Sequence, residues 1–378
     1  MNITSKNAIN VFTTTTLGNH FPPEYCFIID TDRLSERFWL VTVLGSTLSA
    51  ISIIENLFLL VLFARSRQHR NSPSFYLLIL ALSDIFISGT YIMIMSVKVL
   101  YQYAEWVALK RIWIIYLVPM MTMSHVAITT SSFLIVFATA ERFFAVISYR
   151  NVEFLQNNRK LIALLAIIIG LVTKSTLLFE IKAVYNPECT GTLNEYKLEL
   201  TDLVIHNAHY KLWRFWFRNI VTILFPFFIL MYLNARIVNQ LRENVNIGEN
   251  IADNMKQRKA RIRAATRTLV LVVCTYLLAN MLNVIITIWE HTDATSLFTG
   301  KKVIFILDYS FFSFLDFYII SVDAVSLLTI VACALRLPIY ASCQPVLRRE
   351  MIIMIKRLLK NQELEERQIP LLEKNIGA

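Results

Sequence analysis

Charged residues are scarce in this chain. Only 17% of its 378 residues are Asp, Glu, Lys or Arg, whereas 56% are hydrophobic. Ordinary globular domains contain about 25% charged residues, so the composition excludes an ordinary soluble domain and indicates a membrane protein. Seven stretches are apolar and long enough to cross a bilayer as helices of about 20 residues. They are residues 38–63, 74–97, 112–147, 161–179, 215–241, 269–289 and 318–341.

Motifs of the common enzyme classes are also missing. The sequence has no Gly-rich phosphate loop, no HExxH-type zinc motif and no serine nucleophile elbow. We therefore expect no catalytic activity, no metal site and no cofactor. Internal repeats and interrupted spans are not visible either, although a secondary transporter would be expected to show both. A transporter is accordingly the weaker alternative among membrane proteins.

Basic residues are unevenly distributed among the loops. Most Lys and Arg lie between spans one and two, three and four, and five and six, and after span seven, which marks these segments as cytoplasmic. We therefore expect an extracellular amino terminus and a cytoplasmic carboxyl terminus. The formal net charge of +10 follows from this topology, and no nucleic-acid partner is expected. Asn2, in Asn2-Ile3-Thr4, is the one glycosylation sequon of the outward segment.

The five cysteines are too few for a disulfide scaffold. Cys274, Cys333 and Cys343 lie in spans or on the predicted cytoplasmic side, so only Cys26 and Cys189 are expected in an oxidising compartment. We predict that these two pair and tie the amino-terminal segment to the second outer loop. Two free thiols are the alternative.

Polar residues inside the spans are costly unless they face the interior of a helix bundle. Asn56 and Asp84 lie deep in the first and second spans, and Glu141-Arg142 is a charged pair at the end of the third. Asn56 and Asp84 are expected to face the bundle, either as packing residues or as part of a network that switches. The charged pair is a functional candidate by the same argument.

These residues carry a resemblance to rhodopsin-like G-protein-coupled receptors. Glu141-Arg142-Phe143 resembles the Asp-Arg-Tyr motif that closes their third helix, Asn56 and Asp84 resemble the Asn of helix one and the Asp of helix two, and Pro226 resembles the helix-five proline. The resemblance implies an all-α membrane protein, a seven-transmembrane helix bundle with a short amphipathic cytoplasmic helix after helix seven. It also implies a plasma-membrane receptor that transmits agonist binding to a heterotrimeric G protein. The expected divisions are an extracellular segment, 1–37, a receptor domain, 38–342, and a cytoplasmic tail, 343–378.

A narrower resemblance concerns the ligand. Leu177-Leu178-Phe179-Glu180-Ile181-Lys182, Asn207-Ala208-His209-Tyr210, Trp216, Leu233-Asn234 and Asp323-Ala324-Val325-Ser326-Leu327-Leu328 are similar to the corresponding runs of invertebrate FMRFamide-type neuropeptide receptors. This resemblance implies an extracellular amidated peptide as the ligand. A chemosensory receptor for a small molecule is the alternative, and a receptor-like protein that does not signal is the third.

The chain departs from the family pattern in several helices. Leu117 replaces the helix-three cysteine, so the usual link to Cys189 cannot form and Cys26 becomes the candidate partner. The helix-four tryptophan is absent. Ala279-Asn280-Met281-Leu282 replaces Cys-Trp-x-Pro in helix six, which puts an asparagine at the tryptophan toggle. Arg336-Leu337-Pro338-Ile339-Tyr340 replaces Asn-Pro-x-x-Tyr in helix seven.

Arg336 needs an anion if it is buried. The resemblance makes Asp84 the nearest candidate, so we predict a buried Asp84–Arg336 ion pair in the space where many relatives bind sodium. The alternative is that Arg336 reaches the cytoplasmic headgroups, since it lies near the inner end of its helix. The residues expected to switch or to couple to the G protein are Glu141, Arg142, Asn56, Asp84, Asn280, Arg336 and Tyr340.

An amidated peptide ending in Arg-Phe offers a cation, an aromatic ring and a neutral amide, so its site needs a carboxylate and an apolar wall. The resemblance makes Asp323, near the outer end of helix seven, the expected partner of the ligand cation, with Ser326 one turn deeper. Glu180 and Glu290, at the outer ends of helices four and six, are second choices. A lone histidine such as His125 is more often an interior residue than a ligand contact. The other expected contacts are Ser124, His125, Ile128, Asn283 and Trp289.

Arg142 is expected to be released when helix six moves outward, and to give the G-protein tail a cationic floor. Ala260-Arg261-Ile262-Arg263-Ala264, at the base of helix six, contains no acid that could hold Arg142. Restraint must therefore come mainly from Glu141 and from packing. We expect measurable basal activity as a result.

The tail begins with an amphipathic pattern. Residues 346–360 are expected to form a helix whose apolar face lies on the membrane and whose basic residues meet anionic headgroups. Cys343, just before it, is a candidate for palmitoylation, with an unmodified cysteine as the alternative. The apolar face consists of Met351, Ile352, Ile355 and Leu359.

Overall fold

The computed structural model describes residues 33–65, 74–147, 149–246, 253–292, 314–343 and 347–357, together with Pro23 and Cys26. Within this part of the chain, seven helices are long and apolar enough to cross a membrane. The predicted all-α bundle of seven transmembrane helices is therefore confirmed. The helices are α1 (Leu34–Arg65), α2 (Phe75–Tyr103), α3 (Val107–Ala145), α4 (Arg159–Phe179), α5 (Trp216–Gln240), α6 (Thr266–Ile288) and α7 (Ile319–Cys343).

Helical backbone continues beyond some of these spans. The helix that contains α3 runs over Val107–Ile147, and the helix that contains α6 runs over Asp253–Thr292. The α7 region consists of Phe314–Ala334 and Arg336–Cys343, with a break at Leu335. Pro338 explains this break, because a proline lacks an N–H and its ring clashes with the carbonyl four residues earlier. Shorter helices connecting the spans are Tyr149–Asn157, Asp202–His206 and Ala208–Leu212.

Two antiparallel strands form a hairpin between α4 and α5. They are β1 (Ile181–Tyr185) and β2 (Tyr196–Leu200), and Ile181 lies opposite Leu200. The connecting segment turns at Gly191, whose φ of 82° lies in the left-handed region that favours glycine. We call the end of the bundle that carries this hairpin the hairpin end, and the end that carries Arg142 the opposite end.

A disulfide and an ion pair attach the hairpin to the rest of the molecule. The disulfide joins Cys26 to Cys189, whose Cα atoms are 5.3 Å apart. Arg111 of α3 pairs with Glu195, with 2.6 Å between Nη2 and Oε2. Burial acts to raise the pKa of Glu195, but the hydrogen bonds from Arg111 and from the Gly191 N–H outweigh burial and hold that pKa below its ordinary value. The hairpin is thus fixed to both the amino-terminal segment and α3.

Wider π-helical turns are concentrated at the hairpin end. Such turns are frequent at functional sites. Their position means that α1, α2 and α5 are irregular near the hairpin. The turns are Phe38–Leu44 in α1, Ile92–Ser96 in α2, Trp213–Arg218, which leads into α5, and Ile220–Leu224 within α5.

Glycines let neighbouring helices approach closely. A Cβ atom on Gly45 would lie 2.2 Å from the Tyr91 hydroxyl oxygen of α2, and one on Gly170 would lie 2.5 Å from Thr130 Oγ1 of α3. In lipid, helices associate mainly through such close packing, because the surrounding acyl chains are as apolar as the helices. The α1–α2 and α3–α4 contacts therefore depend on these two small residues.

The core lies between the helices, and the outward surface is apolar as well. Tyr76, Leu134, Leu230 and Val273, from α2, α3, α5 and α6, are buried in one cluster. By contrast, aliphatic side chains such as Ile115, which is 80% exposed, cover the outside of the bundle. An apolar surface of this kind fits contact with lipid.

A further helix, α8 (347–357), follows α7. Leu347 and Met351 are buried against residues of α1, α2, α6 and α7, whereas Ile352 and Ile355 are exposed. The predicted apolar face is therefore divided: Met351 packs on the bundle and the two isoleucines remain outside it. Leu359 lies outside the described residues.

Candidate functional site

The hairpin half of the bundle encloses a cavity of about 490 Å³ with walls from α2 to α7. This volume lies in the range of sites that bind small ligands. The cavity brings together several of the ligand contacts predicted from the sequence. They are Ser124, His125 and Ile128 of α3, Asn283 of α6 and Ser326 of α7.

Asp323 lies beside this cavity without lining it. Its carboxylate is 3% exposed and accepts hydrogen bonds from Arg37 of α1, at 2.7 Å from Nε and 3.3 Å from Nη2. Val322 and Ser326, on either side along α7, do line the cavity. The predicted partner of the ligand cation thus already has a cation inside the protein, Arg37, which was not predicted from the sequence.

Glu180, at the hairpin end of α4, also already has partners inside the protein. Its buried carboxylate pairs with Arg218 and with Arg214, whose Nε is 2.9 Å away, and accepts a 2.9 Å hydrogen bond from the Tyr210 hydroxyl. Burial acts to raise the pKa of Glu180, but Arg218, Tyr210 and Arg214 together hold it below its ordinary value. Glu180 therefore stays ionised as the centre of a basic cluster.

Two basic side chains line the cavity. They are Lys174 of α4 and Arg218 of α5, and among the described residues that line it there is no Asp or Glu. Neither residue is among the ligand contacts predicted from the sequence. The available signal was Lys174 itself, because an ionisable residue within a transmembrane span is a functional candidate by default.

The floor of the cavity is polar. The Tyr276 hydroxyl donates a 2.9 Å hydrogen bond to Ser132 Oγ and so joins α6 to α3. Asn280, which stands at the tryptophan toggle position, lines the cavity and donates from Nδ2 to the Tyr276 carbonyl at 2.9 Å. A ligand entering the cavity would meet this α3–α6 link directly.

A buried polar network lies below the cavity. Arg336 pairs with Asp84, and its Nη2 donates to Ser131 Oγ at 3.3 Å. Asp84 also accepts a 3.4 Å hydrogen bond from the Cys333 thiol, while Asn56 donates to the Cys333 carbonyl at 3.3 Å. Arg336 is therefore enclosed in the bundle with its predicted partner, and α1, α2, α3 and α7 meet there.

At the opposite end, Glu141 binds a different arginine from the one beside it. Arg159 of α4 donates to both Glu141 oxygens, at 3.0 Å and 3.2 Å from Nε and 2.5 Å from Nη2. Arg142 makes no hydrogen bond or ion pair with the described part of the chain. The acid expected to restrain Arg142 is thus occupied by α4.

The remaining predicted residues are buried near the end of α7 or lie outside the described part of the chain. Tyr340 is buried and packs edge-on against Phe63 of α1, with 6.4 Å between ring centroids. Cys343 is only 4% exposed, so an acyl chain would need the end of α7 to open, and its lipidation stays a prediction. Asn2 and the side chains of Trp289 and Glu290 lie outside the described residues.

The family model described as 7 transmembrane receptor (rhodopsin family) matches residues 55–321, which is more than half of the chain. The chain belongs to the rhodopsin family of seven-transmembrane receptors. No curated protein matches it. The predicted rhodopsin-like resemblance is confirmed, whereas the FMRFamide-type subgroup stays a prediction.

As a rhodopsin-family member, the chain is a G-protein-coupled receptor that responds to an extracellular ligand, and members of this family are receptors rather than enzymes. The receptor spans the membrane several times, as its seven apolar helices require. Two departures from the family pattern that are predicted from the sequence lie at structurally connected points. Asn280 contacts the cavity floor, and Arg336 lies in the network below it.

Proposed function

We propose that this receptor resides in the plasma membrane, with the hairpin end outside, and responds to an amidated neuropeptide of the FMRFamide type. The observation that carries the proposal is the Arg37–Asp323 pair beside the cavity. A ligand guanidinium can take the place of Arg37 on Asp323, since bidentate arginine–carboxylate pairs are strong and geometrically specific. The neighbouring cavity then receives the rest of the peptide end.

The proposed orientation rests on two features. Disulfides persist in oxidising compartments, and Cys26–Cys189 lies at the hairpin end. The predicted cytoplasmic loops are rich in Lys and Arg, as the positive-inside rule requires. Arg142 at the opposite end would then face the G protein, with agonist binding shifting the bundle between two packings.

Two matched variants test whether Asp323 binds the ligand cation. Cells expressing the receptor are screened for G-protein activation with amidated neuropeptides that include Arg-Phe-amide endings. In Asp323→Ala, the anion is lost, and we expect the potency of an active peptide to fall about 100-fold or more. In Arg37→Ala, the competing cation is removed, and we expect potency to be maintained or to rise.

The two variants should change peptide potency in opposite directions, which distinguishes ligand recognition by Asp323 from a purely structural role of the ion pair. If Arg37–Asp323 only holds α1 to α7, both variants lose potency and surface expression together, and Asp323 is not the ligand anchor. Surface expression is therefore measured in parallel for both variants. Silence of the unmodified receptor across the whole peptide library, with surface expression established, would overturn the neuropeptide proposal.

A small-molecule chemosensory receptor is the second candidate. The cavity favours it in one respect, because about 490 Å³ enclosed by six helices suits a small ligand as well as a peptide end. Activation by a small organic compound, together with silence toward peptides, would select this alternative.

A further inference from the structure

Unsatisfied hydrogen-bond donors converge on the cavity between α4 and α5. Lys174 is only 7% exposed, and its ammonium makes no hydrogen bond or ion pair with the described residues. The Arg218 Nε and the Thr222 hydroxyl, one turn apart on α5, are buried without hydrogen-bond partners. All three side chains line the cavity. The group that would satisfy them must accept hydrogen bonds.

The same wall carries an excess of positive charge. Lys174 and Arg218 both line this wall, and the one nearby carboxylate, that of Glu180, already pairs with Arg218 and Arg214. No acid lines the cavity within the described part of the chain. An ammonium buried in a membrane protein without an anion in hydrogen-bond contact is costly, and an ionisable residue of this kind inside a span is a functional candidate by default.

We infer that the part of the ligand that enters the cavity carries a carboxylate, which Lys174 binds as an ion pair and which Arg218 Nε and Thr222 flank as donors. A carboxylate is an acceptor-only group and matches three donors. A single negative charge fits better than a doubly charged phosphate, because Glu180 already neutralises much of the charge of Arg218. The inference rests on the proposed receptor function but not on an amidated peptide end.

The carboxylate has two possible sources with the same chemistry. It can be an acidic side chain of a peptide whose cation binds Asp323, or it can belong to a small organic acid. In the first case the ligand carries both charges, and Asp323 and Lys174 bind opposite ends of it. In the second case Lys174 alone provides the charged anchor.

The first experiment measures binding without signalling. Full-length receptor, purified in detergent, is unfolded thermally in increasing concentrations of benzoate or 3-phenylpropionate, with benzamide and 3-phenylpropionamide as neutral controls. We expect the acids, and not the amides, to raise the melting temperature. In Lys174→Met the acid concentration for half-maximal stabilisation should rise about 10-fold to 100-fold, as expected for the loss of a hydrogen bond to a charged group.

Three variants control the result. Lys174→Arg keeps the positive charge and should retain the acid effect. Lys160→Met removes an exposed charge from the start of the same helix and should behave as the unmodified receptor does. Thr222→Val should raise the acid concentration for half-maximal stabilisation by about 2-fold to 10-fold, because valine has a shape similar to that of threonine but lacks the neutral hydroxyl donor.

The ligand-free melting temperatures provide an independent test. A buried ammonium without a partner destabilises the empty receptor, so Lys174→Met should melt higher than the unmodified protein. A lower melting temperature, or failure of Lys174→Met to fold, would show that Lys174 has a structural role and would overturn the inference. Equal effects of acids and amides, or an acid effect unchanged in Lys174→Met, would also overturn it.

Signalling then identifies the source of the carboxylate. Asp-Arg-Phe-amide is compared with Asn-Arg-Phe-amide in cells, beside the two organic acids. A preference for the Asp peptide that Lys174→Met removes assigns the carboxylate to a peptide side chain, and activation by the acids alone assigns it to a small molecule. A peptide response that is indifferent to Asp or Asn, without acid-dependent stabilisation, would overturn the carboxylate site and leave the neuropeptide proposal standing. Acid-dependent stabilisation together with silence toward peptides would support the carboxylate site and overturn the neuropeptide proposal.

Discussion

At the scale of single residues, ion pairs decide how this receptor departs from its family. Arg336 is predicted from the sequence to stand where the family has an asparagine, and the structure encloses it with Asp84. Glu141 stands beside Arg142 in the sequence but binds Arg159 of α4. In both cases an acid that resembles a family motif residue is bound by an arginine from a different helix.

We expect the Asp84–Arg336 pair to show strong non-additivity. Asp84→Asn leaves a buried guanidinium without its anion and should cost about 3–5 kcal/mol of stability, whereas Asp84→Leu combined with Arg336→Met should cost much less. Thermal unfolding of purified receptor and surface expression measure the difference. An Asp84→Asn receptor that retains normal expression, stability and signalling would contradict the importance of the pair.

Arg159 should control basal activity by competing with Arg142 for Glu141. With Arg142 unpaired in the described structure, the unmodified receptor is expected to signal above empty cells without ligand. Arg159→Gln frees Glu141 for Arg142 and should lower this basal signal, because the new pair restrains the inactive bundle. Lys160→Gln, which alters an exposed neighbour, is the control.

The measurement is ligand-free G-protein activation, normalised to surface expression. A basal signal equal to that of empty cells, from well-expressed unmodified receptor, would contradict the expectation of an unrestrained Arg142. A higher signal in Arg159→Gln would show instead that the Glu141–Arg159 pair itself stabilises the inactive bundle.

At the scale of helices, close approach sets what each position tolerates. Gly170→Ala should destabilise the receptor, because the new Cβ would lie 2.5 Å from Thr130 Oγ1 and 3.0 Å from the Val126 backbone oxygen of α3. Gly89→Ala in α2 is the matched control, since its Cβ would meet nothing within 4 Å. Alanine favours a helix over glycine by about 1 kcal/mol, so Gly89→Ala should be neutral or stabilising.

Melting temperatures of the two alanine variants in detergent check this difference. Equal shifts in the two variants would mean that α3 and α4 adjust to the added methyl group, and that the contact at Gly170 is not limiting. The break of α7 at Leu335 belongs to the same scale. It follows from Pro338, and it lies directly before Arg336, at the point where the helix presents its guanidinium to Asp84.

The helices themselves were largely predictable from the sequence. Each observed span overlaps an apolar stretch, because a segment that crosses lipid must be apolar and must satisfy its backbone hydrogen bonds internally. The largest differences are at ends, where α2 continues to Tyr103 and α3 begins at Val107. The charged and polar residues at these ends interrupt the apolar pattern, so the predicted stretches did not include them, although the helical hydrogen bonding continues through them. The amphipathic helix was predicted from the sequence. Its pattern did not show that Met351 packs on the bundle, because an apolar residue on a helical face can contact either lipid or protein.

At the scale of the whole molecule, the hairpin half that encloses the cavity is connected to the opposite half that carries Arg142. The cavity contacts Tyr276 and Asn280, and Tyr276 in turn binds Ser132 of α3. The Asp84–Arg336 network lies beyond this floor, and Arg142 lies at the far end of α3. A ligand that changes the α3–α6 contact would therefore bias the packing that the G protein detects.

The sequence alone determined that this chain crosses the membrane seven times as helices and carries the marks of a rhodopsin-family receptor, because both follow from local composition and short motifs. Five of its predicted ligand contacts also line the cavity. Only the tertiary structure decided which charges meet: Asp323 with Arg37, Glu180 with Arg214 and Arg218, and Glu141 with Arg159. Those partners lie on different helices or on a different segment, so no local pattern joins them. These pairings leave Lys174 as a cation that faces the cavity without a paired carboxylate among the described residues. The sequence could not show this, because ion pairs depend on distances that exist only after the helices have packed.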